Sequence, residues 1–168
     1  MSKNTSIRDL NLSSNERLFN KNNLKSLFQF TQIKKFTSEF VKFYTFHVGF
    51  KKRRDDLLIA VFNNPVPVSV VYSKTSTPSA PIIWDKKNNK GYCKVLIINA
   101  GNANAHTGKE GINSINKYTK IIAKKYNCSV NKILVSSTGV IGEKLDENKI
   151  IKDFLNLEKK NEKDIFTA

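Results

Sequence analysis

Residues 95–111 read VLIINAGNANAHTGKEG, an apolar run followed by a segment of amides, alanines and glycines. The run VLII is typical of a buried strand. It breaks into NAGNANA at residues 99–105, and two further glycines follow. Small residues let another backbone approach closely, and Asn amides hydrogen-bond the backbone of loops. The stretch therefore predicts a strand over residues 94–98 that ends in a closely packed loop.

The order of strand, small-residue loop and helix occurs twice. After Gly111, core-facing positions recur at steps of three and four residues, which predicts a helix: Ile112, Ile115, Thr119, Ile122 and Tyr126. Residues 133–136 predict the next strand, and STGVIG at residues 137–142 breaks it. Asp146 is suited to cap a helix with one apolar face, formed by Ile150, Ile151, Phe154 and Leu155. Two such units predict an α/β fold.

The upstream half is less regular. LLIAVF at residues 57–62 predicts a buried strand, and VSVVY at residues 68–72 predicts another. The segment KTSTPSAP at residues 74–81 is interpreted as a loop, and DKKNNKGY at residues 85–92 as an exposed turn. Polar residues dominate the beginning of the chain. We expect residues 1–35 to be a variable N-terminal extension and residues 36–168 to belong to one domain.

Length and hydropathy restrict the class of protein. The chain has 168 residues, enough for one domain or part of a larger one. No apolar run approaches the roughly 20 residues that a membrane-spanning helix needs. The first residues have no secretory signal pattern, so a cytoplasmic protein is expected. Cys93 and Cys128 stand alone without the spacing of metal ligands, so no metal site is expected.

The chain is strongly basic, with a formal net charge of +15 from 29 basic and 14 acidic residues. Such a charge attracts polyanions, so a non-catalytic basic module that associates with nucleic acid is the alternative function. Nearly all the basic residues are Lys, whereas recognition of bases and phosphates favours Arg. No signature of a common nucleic-acid-binding fold is present. Nucleic acid is therefore the less favoured partner.

Thr138 and Gly139 form the sharpest candidate for chemistry. A threonine hydroxyl and the next backbone N–H can converge on one oxygen, as in an oxyanion hole. A plain turn is the structural alternative, because a single Thr-Gly pair is a weak motif. His106 follows the NAGNANA segment, but no nucleophile elbow or orienting Asp accompanies it. We therefore interpret His106, and likewise His47, as non-catalytic.

Two motifs together resemble a known family. NAGNANA with Thr107, Gly108 and Gly111, and then STGVIGE at residues 137–143 with Leu145, resemble the ornithine acetyltransferase family in order and spacing. Its members are bifunctional glutamate N-acetyltransferases and amino-acid acetyltransferases of arginine biosynthesis. The resemblance covers roughly residues 38–157. It implies a layered sheet-and-helix sandwich of the ornithine acetyltransferase type, incomplete in this chain.

The resemblance also implies a mechanism and partners. A precursor cuts itself before a threonine, which becomes the first residue of the β chain and the nucleophile. The threonine takes acetyl from N-acetylornithine and passes it to glutamate without a cofactor, while acetyl-CoA stays open as a further donor. Two α and two β chains form a heterotetramer. In this sequence the oxyanion hole maps onto Thr138 and Gly139, and the structural loop beside it contains Asn99, Gly101, Asn102 and Asn104.

One departure from the family pattern bears on activity. The threonine-rich substrate loop, a substrate lysine and the self-cleavage site of the family lie further downstream than residue 168. The expectation is therefore an N-terminal part of the α chain, with the oxyanion hole and without the nucleophile. Residues 1–168 alone are predicted to be inactive.

Overall fold

A computed structural model describes residues 39–155, which form one four-stranded sheet and three α-helices. In chain order the elements are β1 (Val41–Phe46), β2 (Leu57–Pro67), α1 (Ala80–Asn88), β3 (Tyr92–Asn102), α2 (Gly108–Lys125), a 3-10 turn (Val130–Lys132), β4 (Ile133–Val140) and α3 (Glu147–Leu155). The predicted mixed α/β class is confirmed. The predicted extension over residues 1–35 lies outside the described residues and stays a prediction.

The sheet has the order β1-β2-β3-β4, so strands that follow one another in sequence are also neighbours in space. β1, β2 and β3 pair antiparallel, whereas β3 and β4 pair parallel. A parallel pair needs a crossover connection, and α2 supplies it between β3 and β4. The parallel pairing therefore places the carboxyl ends of β3 and β4 at the same edge of the sheet.

The helices cover one face of the sheet. Alternate side chains of β3 point to that face, and Val95 and Ile97 are 0% and 1% exposed. They belong to a single apolar core that joins strands and helices, together with Leu57, Ile59, Ile133 and Val135 from the sheet and Trp84, Ile115, Tyr118, Ile122, Ile150 and Phe154 from the helices. On the opposite face Ile98 keeps 36% of its surface exposed. Among residues 39–155, no helix has the length and hydropathy of a bilayer span.

Both predicted helices form, and a buried carboxylate joins them. Asp146 caps α3 as expected, because its Oδ1 accepts the Asn148 N–H at 3.1 Å. The Glu147 carboxylate accepts hydrogen bonds from Lys117 Nζ at 2.5 Å and from Ser114 Oγ at 2.9 Å, both on α2. The Lys117 hydrogen bond is the main cause that lowers the pKa of Glu147 to about 2. α3 is therefore attached to α2 by an ionised group as well as by apolar packing.

Two predictions for the upstream half are wrong. Residues 68–72 form no strand, and Val71 is 98% exposed, because β-branched residues become a strand only where a partner pairs with them. The segment predicted as an exposed turn at residues 85–92 contains the second half of α1, and Asp85 within it is buried. Ser79 before α1 and Pro81 in its first turn mark a helix start that the lysines and asparagines after it obscured.

The small-residue segments do not interrupt β3 and β4 as predicted. β3 continues through the first four residues of NAGNANA to Asn102, and β4 continues through Thr138 and Gly139 to Val140. Polar residues and glycine are depleted in strands, so the sequence pattern favoured loops. The strands persist because each supplies the other's backbone partners in the parallel ladder.

Candidate functional site

The carboxyl ends of β3 and β4 bring the two small-residue segments together. Asn99 pairs with Ser137, Gly101 pairs with Gly139, and Thr138 lies between these two ladder positions. The register becomes irregular at Asn102, which pairs with residues on both sides of Gly139. The two motifs that are separated in sequence are therefore one paired structure, which we call the crossing segment (residues 99–104 with residues 137–142).

Glycine is required at the centre of the crossing segment. Gly139 has φ +135°, and a Cβ there would lie 2.2 Å from the carbonyl carbon of Gly101 and 2.6 Å from the Asn102 nitrogen. Gly101 has φ +106°, and its Cβ would lie 2.8 Å from the Phe50 carbonyl oxygen. No side chain fits at such distances from backbone atoms. Gly139 therefore allows β4 to approach β3 closely, and Gly101 allows the bend at Phe50 to pack against β3.

Asn99 joins the two strands from within the protein. Asn99 is 2% exposed and lies on the face of the sheet that the helices cover. Its Oδ1 accepts a hydrogen bond from Ser137 Oγ at 2.6 Å, and its Nδ2 donates to the Asn102 carbonyl oxygen at 2.8 Å. Both polar ends of this buried amide are thus satisfied, as a buried amide requires.

Asn102 and Asn104 extend the same hydrogen-bond network. Asn102 Oδ1 accepts the Asn104 N–H at 2.8 Å, and Asn102 Nδ2 donates to the Glu143 carbonyl oxygen at 3.1 Å. Asn104, which is fully buried, donates from Nδ2 to the Gly111 carbonyl oxygen at 3.2 Å and accepts from Thr107 Oγ1 at 2.8 Å. These amides attach the end of β3 to the start of α2 and to the chain that follows β4.

Thr138 and Gly139 are exposed at the surface of this network. Ser137 points its hydroxyl at Asn99, so the alternation along a strand places the Thr138 side chain on the opposite face. Backbone hydrogen bonds of 2.9 Å, from Ala103 N–H to the Val140 oxygen and from Gly142 N–H to the Ala105 oxygen, fix the chain just after them. A hydroxyl and a neighbouring peptide are therefore presented to the outside on a fixed backbone.

Sequence reasoning missed Asp85, a buried carboxyl group at the edge of the sheet. Its two oxygens lie 3.2 and 3.4 Å from the Val135 nitrogen and accept that edge N–H. Burial raises the pKa of Asp85 to about 7, and the Val135 hydrogen bond opposes the shift. Burial first, and the Asp85 charge second, raise the pKa values of Tyr72 and Tyr118. The helix-start signal at Ser79 was the clue that could have placed Asp85 on α1.

A cavity connects Asp85 with the crossing segment. It has a volume of about 300 Å³ and is lined by Asp85, Ser136 and Ser137 among other residues. Cys93 also lies near Asp85, and burial, with smaller contributions that include Asp85, raises the pKa of its thiol to about 11. The Asp85 carboxyl group, whose pKa is about 7, therefore lines the same cavity as Ser136 and Ser137, the two residues just before Thr138.

The remaining sequence candidates lie elsewhere. His106 has φ +56° and lines another cavity, of about 440 Å³, together with Thr107 and Lys109 at the start of α2. Its interpretation as non-catalytic stays a prediction. Across residues 39–155, no three His, Cys, Asp or Glu side chains come together as a set of metal ligands.

A family model decides the relationship that the motifs suggested. The model of the ArgJ family matches residues 42–168, which is more than half of the chain. The chain belongs to the ArgJ family. The resemblance to ornithine acetyltransferases is thereby confirmed, and the crossing segment is a feature of an ArgJ-family chain.

Curated members of the ArgJ family are similar over part of their length. The arginine biosynthesis bifunctional protein ArgJ of Bradyrhizobium diazoefficiens is 43% identical over 111 residues, which cover 65% of this chain and 27% of that protein. The protein of the same name from Mesorhizobium japonicum is 42% identical over 113 residues, covering 66% and 27%. The chain thus spans about a quarter of the length of these relatives.

Two solved structures share the fold of this chain. The arginine biosynthesis bifunctional protein ArgJ of Bacillus halodurans superposes with a TM-score of 0.64 at 29% identity, over 68% of this chain and 61% of that one. An ornithine acetyltransferase of Mycobacterium tuberculosis, solved in complex with ornithine, gives a TM-score of 0.66 at 21% identity, over 73% and 67%. The second similarity supports the fold alone.

Proposed function

We propose that this chain supplies the oxyanion hole of an acetyltransferase of arginine biosynthesis. Thr138 Oγ1 and the Gly139 N–H donate hydrogen bonds to the oxygen that becomes negative during acetyl transfer from N-acetylornithine to glutamate. The observation that carries the proposal is that Thr138 and Gly139 are exposed while their backbone is fixed. The close approach of β3 and β4 at Gly139 and the hydrogen bonds of the buried Asn99 amide hold that backbone in place. Donors fixed before the reaction stabilise a developing charge without reorganising.

The proposed reaction has two steps, each through a tetrahedral oxyanion. A threonine Oγ attacks the acetyl carbonyl, the amide C–N bond breaks, and ornithine leaves with a proton on its amine. The amine of glutamate then attacks the acetyl-threonine ester, the C–O bond breaks, and the threonine regains its proton. N-acetylornithine itself supplies the acetyl group, so the reaction as proposed needs no cofactor. Both donors are neutral near pH 7 and keep their protons throughout.

The proposal assigns no nucleophile within residues 39–155. It includes a β chain cut from the same precursor, whose first threonine is the nucleophile, and an assembly of two α and two β chains. The net charge of +15 is consistent with glutamate as the acceptor, because a basic protein attracts a substrate that carries a net negative charge. The mass of the complete, processed gene product in solution tests the assembly.

The test is turnover of N-acetylornithine and glutamate by the complete gene product and its Thr138→Ala variant. Since an oxyanion hole acts mainly in the transition state, Thr138→Ala should lower kcat about 10²–10³-fold and change KM little. Thr138→Ser keeps the hydroxyl and is the matched control, with a kcat close to that of the unchanged protein. Residues 1–168 alone should show no turnover.

Three results would contradict the proposal in different places. No turnover by the complete gene product removes the assigned reaction. An unchanged kcat in Thr138→Ala removes Thr138 from the mechanism. Turnover by residues 1–168 alone shows that the nucleophile lies within this chain.

A further inference from the structure

Asn99 contacts the chain on both sides of Thr138. It accepts the Ser137 hydroxyl, one residue before Thr138, and donates to the carbonyl oxygen of Asn102. Asn102 is in turn the ladder partner of both Thr138 and Val140. One buried amide therefore holds the peptide that precedes the proposed oxyanion hole and the backbone that faces it.

We propose that Asn99 is a positioning residue for the Thr138–Gly139 pair and that it acts through the Ser137 hydroxyl. This inference rests on the proposed function and adds the residues that set the direction of the two donors. The strand pleat transmits the orientation: when Ser137 Oγ is held on the covered face, the next side chain must project on the open face. Asn99 itself, at 2% exposure, lies too deep to touch a substrate.

The chemistry of the contact favours this role over simple stabilisation. The apolar pairs Val95–Ile133 and Ile97–Val135 precede Asn99–Ser137 along the same face of the ladder, so an apolar pair would continue the core. A buried hydrogen bond between neutral groups adds little net stability, and replacing both partners by apolar groups is often nearly neutral. Unlike an apolar pair, the Asn99–Ser137 pair fixes the orientation of both side chains, because its hydrogen bond of 2.6 Å constrains both rotamers.

The experiment measures kcat and KM in the complete gene product for four changes. Ser137→Ala removes the donor to Asn99 and should lower kcat about 10- to 10²-fold with little change in KM, since displacing a catalytic group by about 1 Å costs rate on that scale. Ser137→Thr keeps the hydroxyl and should restore kcat. Ser136→Ala, on the adjacent exposed serine, is the matched control and should leave kcat unchanged.

The fourth change separates positioning from direct catalysis. If Ser137 acts through Thr138, then Ser137→Ala should lower kcat less in the Thr138→Ala background than in the unchanged protein. Unfolding midpoints of all variants accompany the kinetics. A kcat of Ser137→Ala equal to that of Ser136→Ala overturns the inference, and so does a loss that Ser137→Thr fails to restore or that the unfolded fraction explains.

The same series distinguishes this inference from the proposed function. A large loss in Thr138→Ala with no loss in Ser137→Ala overturns the positioning role and leaves the oxyanion hole intact. An unchanged kcat in Thr138→Ala, or no turnover by the unchanged gene product, overturns the proposed function and this inference with it.

Discussion

β3 and β4 form one parallel ladder whose two halves are held together by different forces. In the first half, Val95 pairs with Ile133 and Ile97 pairs with Val135, all within the apolar core. In the second half, the crossing segment, amide hydrogen bonds and a glycine contact replace apolar side chains. The change occurs within a few residues and without a break in either strand.

The two halves should respond differently to substitution. Apolar packing gives a graded response, in which each lost methylene removes a share of the transfer free energy and leaves a cavity. The crossing segment leaves no room for a Cβ at Gly139, and its amides are satisfied only in one arrangement. Backbone held in this way can be exposed to a ligand without side chains over it, which an aliphatic strand end would not allow.

The largest effect is expected from Gly139→Ala. The added Cβ would meet the Gly101 carbonyl carbon at 2.2 Å, so one strand must move away from the other. We expect the free energy of unfolding to fall by about 4 kcal/mol or more. A loss of this size from one substitution indicates a specific cause, which here is the steric clash with the Gly101 backbone. Urea unfolding of the complete gene product, at matched m-values, measures the loss.

Gly142→Ala is the matched control for Gly139→Ala. Gly142 also has a positive φ, of +84°, but a Cβ there would meet nothing within 4 Å. Gly142→Ala should therefore lower the free energy of unfolding by only about 1–2 kcal/mol, which is the cost of placing a non-glycine residue in the left-handed conformation. Equal losses in the two variants would mean that positive φ, and not the close approach of the strands, explains the glycine at residue 139.

The sequence predicted the apolar half of this ladder and both flanking helices, because periodic apolar residues report burial directly. It did not predict that the strands continue through the crossing segment. Asn99 and Gly139 are typical of loops when they are considered locally, and the partners that make them strand residues lie about 40 positions away in the sequence. The Thr138–Gly139 candidate was found by its chemistry, whereas its pairing with the NAGNANA segment required the structure.

Two upstream errors have a related cause. VSVVY at residues 68–72 has the composition of a strand, but composition does not show whether a neighbouring strand is available. The Lys and Asn residues that follow Asp85 predict an exposed turn, although the Asp85 carboxyl group faces the edge of β4. A burial of this kind depends on a contact 50 residues away in the sequence, which no local pattern reports.

An intermediate effect is expected in the apolar half. Ile97→Ala should lower the free energy of unfolding by about 3 kcal/mol, since Ile97 is 1% exposed and its loss leaves a cavity in the core. The kcat of the folded protein should change little, because Ile97 packs in the apolar core and takes no side-chain part in the hydrogen bonds of the crossing segment. Urea unfolding and steady-state kinetics on the same preparation measure both quantities.

Ile98→Ala supplies the comparison for Ile97→Ala. Ile98 is the next residue of β3 and is 36% exposed on the other face. Its truncation should cost less than about 1 kcal/mol. If Ile97→Ala loses kcat as strongly as Thr138→Ala while remaining folded, the two halves of the ladder are not independent and the contrast between them fails.

The smallest effect is expected at Asp85, where the two halves meet. The folded protein raises the pKa of Asp85 from 3.8 to about 7, so the folded state holds this proton more tightly than the unfolded state. Its stabilising contribution is fully present below about pH 4 and is lost as the pH rises through about 7. Asp85→Asn still accepts the Val135 N–H but does not titrate, so the variant should lack this fall in stability.

At about pH 8 we therefore expect Asp85→Asn to be about 1–2 kcal/mol more stable than the unchanged protein. This is less than the roughly 4 kcal/mol that a three-unit shift represents, because the new amide NH₂ must itself be buried. At about pH 4 the order should reverse or vanish. Urea unfolding at both pH values measures the difference, and parallel pH curves for the two proteins would show that the Asp85 carboxyl is not the group that titrates. Since Asp85 holds Val135 and not Ser137, kcat at a fixed pH should change little, which separates the hydrogen bond at the strand edge from the one that orients Thr138.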